Sequence, residues 1–165
     1  MNDDAVAVSV MIVIFGLIFV IIIGVLAMQI FFLLTLHRCM GKISKENRTM
    51  EPGLVWLNLV PMLNLGWIFY TVIKIKESLE KEFDSRNLQG DGDFGYKIGL
   101  TYAILGCCSA VPYVGVLPAM VSLVFWIMYW VKIAGFSQQL DTEDDFVEVE
   151  EIEESQEFYD VKSVD

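Results

Sequence analysis

The chain has 165 residues, of which 55% are hydrophobic, and its net charge at pH 7 is −11. Residues 141–165 hold 12 of the 22 acidic residues and one base, Lys162, so the charges of residues 1–140 sum to zero. Because no basic face is available, we expect no nucleic-acid partner. The apolar content instead indicates a lipid bilayer as the main surroundings.

Three stretches contain no Asp, Glu, Lys or Arg, namely residues 5–36, 52–73 and 98–131. A helix needs about 20 apolar residues to cross the hydrocarbon core, and each stretch is long enough. The sequence therefore predicts an all-α integral membrane helical bundle over residues 1–140. Residues 141–165 form a second region, for which dense charge and low hydrophobicity predict a disordered acidic cytoplasmic tail.

The first stretch contains no proline and predicts one long N-terminal span that ends near Gly41, a residue type that often closes helices. The chain begins Met-Asn-Asp-Asp, without the basic region of a cleavable signal peptide, so we expect an uncleaved anchor. Because the stretch is longer than one crossing requires, the helix should tilt or protrude.

The second stretch is interrupted near its centre by Asn58, Pro61, Asn64 and Gly66. Pro61 removes a backbone donor, and irregular backbone at membrane depth is tolerated only where protein or water covers it. The pattern predicts either a kinked span or a re-entrant hairpin, and in the hairpin Asn64 lies at or near the turn.

The helix that leaves this segment should continue as an amphipathic extension at the headgroup level. Ile75, Leu79 and Phe83 recur every four residues and define its apolar face. The other faces carry three oppositely charged pairs at i,i+4 spacing, which are Lys76–Glu80, Glu77–Lys81 and Glu82–Arg86.

The third stretch predicts a C-terminal helical hairpin, with helices over about residues 94–111 and 118–136 and a turn at residues 112–117. Small side chains recur every four residues along the first helix, which favours close helix–helix contact. We therefore expect Gly99 and Ala103 to lie at a tight contact. Two sets of residues carry these predictions: Gly95, Gly99, Ala103 and Cys107 as the small face, and Trp126, Tyr129 and Trp130 as an aromatic belt beside Lys132.

Basic residues near the ends of apolar segments favour the cytoplasmic side. They concentrate in residues 37–51 and in residues 74–97, on either side of the second stretch. A re-entrant second stretch places both clusters and the tail in the cytoplasm and the N-terminus outside the inner membrane. The alternative is four full spans with both termini outside.

Catalytic chemistry finds little support in the sequence. His37 is the only histidine, the cysteines are Cys39, Cys107 and Cys108, and the middle of each apolar stretch is free of charge. Residues 90–93 match the Gly-x-Gly-Asp pattern of intramembrane aspartyl proteases, but no second aspartate lies in an apolar stretch, so a turn with Asp93 as a helix N-cap explains the match better. We assign no catalytic, cofactor-binding or metal residue and expect a protein that is not an enzyme.

Residues 39–140 resemble a family of small uncharacterised bacterial multi-pass membrane proteins. The resemblance rests on residues 48–52, 55–57 and 130–137, together with Pro61 and Trp67. It implies a bacterial cytoplasmic membrane location, and it supplies no activity and no site residues. The leading hypothesis for function is an accessory or scaffold protein that packs with other membrane helices and recruits a partner through its tail. The alternative is a small homo-oligomeric channel or carrier with a polar path near Asn58 and Asn64.

Overall fold

The computed structural model describes residues 3–111 and 115–163, and within these ranges every regular element is a helix. Two of the helices, over Val6–Lys42 and Val116–Asp145, are long and apolar enough to cross a membrane. The predicted all-α class is thus confirmed for the described part of the chain. Its elements are α1 (Asp3–Lys42), a 3-10 helix (Pro52–Leu59), α2 (Pro61–Ser85), α3 (Tyr96–Ser109) and α4 (Val116–Ser163).

Helix α1 is a single uninterrupted helix that ends at Lys42, beside the predicted Gly41. Its two halves have different surroundings. Phe32, Leu33 and Leu36 are fully buried against the other helices, whereas every residue from 6 to 28 is exposed. A helix that is apolar on all sides needs an apolar environment around it. The first half of α1 finds none within the described protein body.

The second apolar stretch is broken at Val60, whose backbone is extended between the 3-10 helix and α2. Pro61 occupies the first position of α2, where its missing N–H costs no hydrogen bond. The break lies at Val60, four residues before Asn64, because Pro61 begins a helix instead of interrupting one. Asn64 was predicted at or near the turn, and it is near the break but not at it. Asn64 lies in the first turn of α2, and its backbone N–H donates to Val60 O at 2.9 Å.

The apolar face of the second half of α2 is buried in the protein core, while most of its charged side chains stay at least partly exposed. Ile75, Leu79 and Phe83 are at most 1% exposed, which confirms that they form the apolar face of the helix. The sequence did not indicate that this face packs against the rest of the protein. The Phe83 ring packs edge-on against Phe94 and Phe136, with centroids 5.1 and 5.6 Å away. These long-range aromatic partners lie too far away in the sequence for the local period to indicate them.

Two of the three predicted ion pairs on α2 are present. Lys76 Nζ lies 2.5 Å from Glu80, and Arg86 lies 2.7 Å from Glu82. Glu77 pairs instead with Lys74, at 2.6 Å. Lys74 lies three residues before Glu77 and Lys81 lies four residues after it, so either lysine can pair with Glu77 on the helix surface. The sequence alone does not indicate which pair forms.

Helices α3 and α4 form the predicted hairpin, although residues 112–114 of its turn lie outside the described residues. The small face of α3 packs as expected, since Gly99 and Ala103 are buried. A Cβ atom added to Gly99 would lie 2.8 Å from Tyr129 Cε2 and 2.9 Å from Val72 Cγ1. Gly99 therefore lets α3 approach both α4 and α2 at one point.

The predicted aromatic belt is wrong, because its rings lie in the core of the bundle. Trp126 and Tyr129 are 7% and 1% exposed, and both rings pack against Phe32 of α1. Trp130 Nε1 donates to Thr35 Oγ1 at 2.9 Å. A spacing of three to four residues places all these aromatics on the face of α4 that meets α1.

The prediction of a disordered tail is also wrong for the backbone up to Ser163. Helix α4 runs without a break from Val116 through the body and across Leu140 into the acidic region. Residues 141–163 contain no glycine or proline and are rich in Glu, which favours helix. Because α4 is already formed in the body, the tail extends an existing helix and avoids the cost of nucleating one.

Candidate functional site

The two basic flanks of the second apolar stretch lie together at one end of the molecule. Ser44 Oγ donates to Glu82 Oε2 at 2.6 Å. Asn47 Nδ2 donates to the same carboxylate oxygen at 2.7 Å and to Ser85 Oγ at 2.8 Å. Three hydrogen bonds thus hold the loop after α1 against the last two turns of α2.

The same loop is fixed at two further points. Thr49 N donates to Ser78 Oγ at 2.9 Å, and Thr49 Oγ1 donates to Lys74 O at 3.0 Å. Arg48 donates to the carbonyls of Gly41 and Ile43, at 2.9 and 2.8 Å. A guanidinium at this position satisfies carbonyls at the C-terminus of α1 and complements the negative end of its dipole.

Glu82 is the buried carboxylate at the centre of this end, with 1% of its surface exposed. Burial alone would raise its pKa, but hydrogen bonds from Ser44, Asn47 and Arg86 outweigh burial and hold the pKa below its ordinary value. A carboxylate with all these donors stays ionised at neutral pH. It is suited to joining loop and helix and poorly suited to accepting a proton from a substrate.

The acidic tail begins at this same end. Lys42 Nζ, in the last turn of α1, donates to Ser137 O, Ser137 Oγ and Asp141 Oδ2 at 3.0, 2.7 and 2.6 Å. Arg86 bridges Glu82 to Asp144, whose Oδ1 lies 2.5 Å from Arg86 Nη1. We call these groups the charged end: Lys42, the loop of residues 43–51, the second half of α2, and residues 137–144 of α4.

The loop before α3 closes onto α4 through charges as well. Lys132 Nζ lies 2.5 Å from Asp91 Oδ2. Asp91 Oδ1 accepts the backbone N–H groups of Asp93 and Phe94, at 3.2 and 2.7 Å. Burial alone would raise the pKa of Asp91, but the Lys132 contact and these N–H donors lower it below the ordinary value.

Asp93 is not the N-cap of α3, which is Gly95 in a left-handed conformation with φ of 77° and no side-chain cap. Asp93 Oδ2 instead accepts the backbone N–H of Lys97 at 3.4 Å, one residue beyond the third position that an N-cap side chain reaches. The Gly-x-Gly-Asp sequence of residues 90–93 thus forms a turn held by an ion pair.

The two amides predicted to line a polar path lie in different places. Asn58 is 2% exposed, and its Nδ2 donates to Val55 O and Thr71 Oγ1, both at 2.9 Å. Asn64 lines a cavity of about 220 Å³ between α2 and α3, together with Tyr102 and Cys107. Asn58 is not among the residues that line this cavity.

A second cavity, of about 260 Å³, lies between α1, α3 and α4. Its polar groups come from Gln29, Tyr102, Ser109, Ser122 and Trp126, and the remaining walls are apolar. The sequence reasoning missed Gln29. The signal was present, because Gln29 is the only amide side chain in residues 5–36.

The histidine and two of the three cysteines pack within the bundle, while Cys108 is exposed. His37 Nδ1 lies 3.0 Å from Pro52 O, and the ring is 6.3 Å from that of Trp56. Cys39 is buried, and the Cys107 thiol donates to Leu65 O at 3.4 Å. Within residues 3–111 and 115–163, no group of three or more His, Cys, Asp or Glu side chains is arranged to hold a metal ion.

Several residues that carry the family resemblance hold the second stretch in place. Trp67 Nε1 donates to Leu54 O at 2.9 Å, which ties α2 to the 3-10 helix, and Arg48 closes α1 as described. The family membership suggested by the sequence stays a prediction. No family model, curated protein or solved structure matches this chain.

Proposed function

We propose that this protein is a non-enzymatic accessory or scaffold protein of the bacterial inner membrane. In this proposal α1 anchors it, and the acidic extension of α4 is offered to a protein partner on the cytoplasmic side. The observation that carries the proposal is the division of the molecule into two ends. One end is the exposed apolar half of α1, and the other is the charged end from which the acidic helix leaves.

Element lengths support a full crossing by α1. Helix α4 is also long and apolar enough to cross, but α3, with which it forms a hairpin, is not. Residues 5–36 of α1 extend about 48 Å at ~1.5 Å per residue, more than the ~30 Å hydrocarbon core. The apolar part of α2, residues 61–73, extends only about 20 Å, and the 3-10 helix about 16 Å at ~2.0 Å per residue. Helix α3, with 14 residues, reaches about 21 Å. These lengths favour a re-entrant second stretch and a shallow α3–α4 hairpin beside one long anchor.

The contacts at the charged end support placing both basic flanks on one side. Ser44 and Glu82 are 2.6 Å apart, whereas a full crossing by residues 52–73 would separate their flanks by roughly the 30 Å of the core. Lys42 and Arg86 each contact the start of the tail, so the tail belongs to the same side. The excess of basic residues then favours the cytoplasm for this side and the outside for the N-terminus.

The nature of the partner follows from charge. Residues 141–165 carry a net charge of −11, while residues 1–140 sum to zero. An extended acidic helix complements a basic surface, and such charge complementarity contributes specificity and association rate. The channel alternative is less well supported, because Asn58 donates to Val55 O and Thr71 Oγ1 inside the protein, whereas Asn64 lines a cavity that Asn58 does not.

The proposal is tested by purifying the full chain from membranes, alongside a variant that ends at Asp145. We expect a stable hetero-complex with the full chain, which added salt weakens and the shortened chain does not form. A second control replaces the glutamates of residues 148–157 with glutamine and preserves chain length. Recovery of only a homo-oligomer that conducts ions in liposomes would contradict the proposal and favour the channel.

A further inference from the structure

The cavity between α1, α3 and α4 contains hydrogen-bonding groups that the protein leaves unused. The Gln29 amide and the Tyr102 hydroxyl line it and make no hydrogen bond with any described residue. Trp126 Nε1, in the same wall, is buried and also lacks an acceptor. Gln29 and Tyr102 are partly exposed and line the cavity, so a ligand that supplies acceptors there would give their donors partners.

The remaining polar groups of the cavity already use their protons. Ser122 Oγ donates to Tyr102 O at 3.2 Å, and Ser109 Oγ donates to Gly106 O at 2.7 Å. None of the described lining residues is charged. The walls therefore match an uncharged ligand with acceptor oxygens and provide nothing to neutralise a phosphate or a carboxylate.

The position of Gln29 along α1 narrows the ligand class further. Nine residues separate it from Arg38, the first charged residue of the flank, which is about 14 Å along a helix. That distance is close to half of the ~30 Å hydrocarbon core. Glycerolipid esters remain near the water interface and do not reach this depth. A lipid whose head group carries a hydroxyl is held at the interface by hydration of that hydroxyl. A lipid whose head group carries only carbonyls therefore reaches the cavity at a lower desolvation cost.

The cavity is also accessible from the side on which lipid would lie. Its lining residues Val25, Met28 and Leu123 are 60%, 47% and 54% exposed. Its volume of about 260 Å³ is close to nine times the ~30 Å³ that a water molecule occupies in the liquid. One substituted ring fits such a space, with its apolar chain leaving between the exposed residues.

We infer that this cavity binds the head of an uncharged, carbonyl-bearing lipid such as an alkylated quinone. The carbonyl oxygens accept hydrogen bonds from the Gln29 amide and the Tyr102 hydroxyl, and the apolar chain lies along α1 and α4. The inference rests on the membrane placement proposed above and requires no protein partner. It gives the accessory protein a small-molecule ligand within the bilayer.

The test measures binding of decylubiquinone to the full-length protein in detergent micelles by native mass spectrometry. Decylbenzene, which has a ring and a chain but no carbonyl, is the matched probe. We expect saturation at one decylubiquinone per chain and clearly weaker binding of decylbenzene. Gln29→Leu and Tyr102→Phe should each raise the Kd at least about tenfold, the effect of losing ~1.4 kcal/mol of hydrogen bonding.

Gln139→Leu and Tyr96→Phe make the same chemical changes outside the cavity and should leave the Kd unchanged. Both cavity variants become more apolar at nearly constant volume, so we expect them to fold. Non-saturable uptake, equal binding of both probes, or a Kd unaffected by Gln29→Leu would overturn the inference. Loss of the protein partner with retained decylubiquinone binding would contradict the proposed function and leave this inference standing.

Discussion

The Asn47 side-chain amide donates to Ser85 Oγ across 2.8 Å, although the two residues lie 38 positions apart and on opposite sides of an apolar stretch. The contact requires the chain to enter and leave that stretch at the same end of the molecule. In the membrane placement proposed above, this hydrogen bond keeps the two flanks on the same side of the membrane.

Cysteine labelling tests this topology. Lys45 and Asp84 are exposed residues of the two flanks, and their side chains make no hydrogen bond with the described residues. In a background in which Cys39, Cys107 and Cys108 are replaced, we expect Lys45→Cys and Asp84→Cys both to resist an impermeant thiol reagent added to intact cells. Both should react after the cells are opened. Labelling of position 84 alone in intact cells would establish a full crossing by residues 52–73.

The tight contact at Gly99 predicts a specific loss of stability. Gly99→Ala places a methyl group within 3 Å of Tyr129 and Val72, and overpacking of this kind costs about 1–3 kcal/mol. Gly66→Ala is the matched control, because it also lies in a helix and its added Cβ meets nothing within 4 Å. The control should gain stability through the higher helix propensity of alanine. Thermal unfolding in detergent measures both, and equal midpoints for the two variants would show that α3 can move away.

The helices were largely predictable because apolar runs, glycine positions and the four-residue spacing of small side chains are local signals. Partners at long range were not. Nothing near Glu82 in the sequence indicates that Ser44 and Asn47 satisfy its carboxylate, and the period of α4 alone does not distinguish a buried aromatic face from a lipid-facing belt. Composition alone does not indicate the helical tail, because the tail extends a helix that is already formed in the body of the protein.

The first residues of the tail should contribute a little to stability, and the rest almost nothing. Asp141 and Asp144 pair with Lys42 and Arg86, but both carboxylates are more than half exposed, and such pairs are worth about 0.2–1 kcal/mol each. A chain that ends at Leu140 should therefore unfold slightly more easily than one that ends at Asp145, and high salt should remove the difference. If the chain that ends at Asp145 were much less stable than the full chain, the later part of the tail would have to pack on the body.

Glu82→Gln tests the charge at the centre of the charged end. The amide keeps the size of the side chain but removes the negative charge that Arg86, Ser44 and Asn47 contact, so we expect a loss of about 1.5–3 kcal/mol, as for hydrogen bonds to a charged group. Glu80→Gln is the matched control on the same helix, since Glu80 is partly exposed and pairs only with Lys76. It should lose about 0.3–0.5 kcal/mol.

The difference in stability between the wild type and Glu82→Gln should depend on pH with a definite sign. Because the pKa of Glu82 in the folded protein lies below its ordinary value of 4.5, the ionised carboxylate stabilises the fold fully above that value. The stabilisation is lost as the pH falls below 4.5 and passes through the lower pKa of the folded protein. The unfolding midpoints of wild type and Glu82→Gln should thus be farthest apart at neutral pH and converge in acid. Asp91, whose pKa is lowered in the same direction, is present in both proteins and cancels from the comparison. A gap that stays constant from pH 7 to pH 3 would mean that the ionised state of Glu82 contributes nothing to holding the two flanks together.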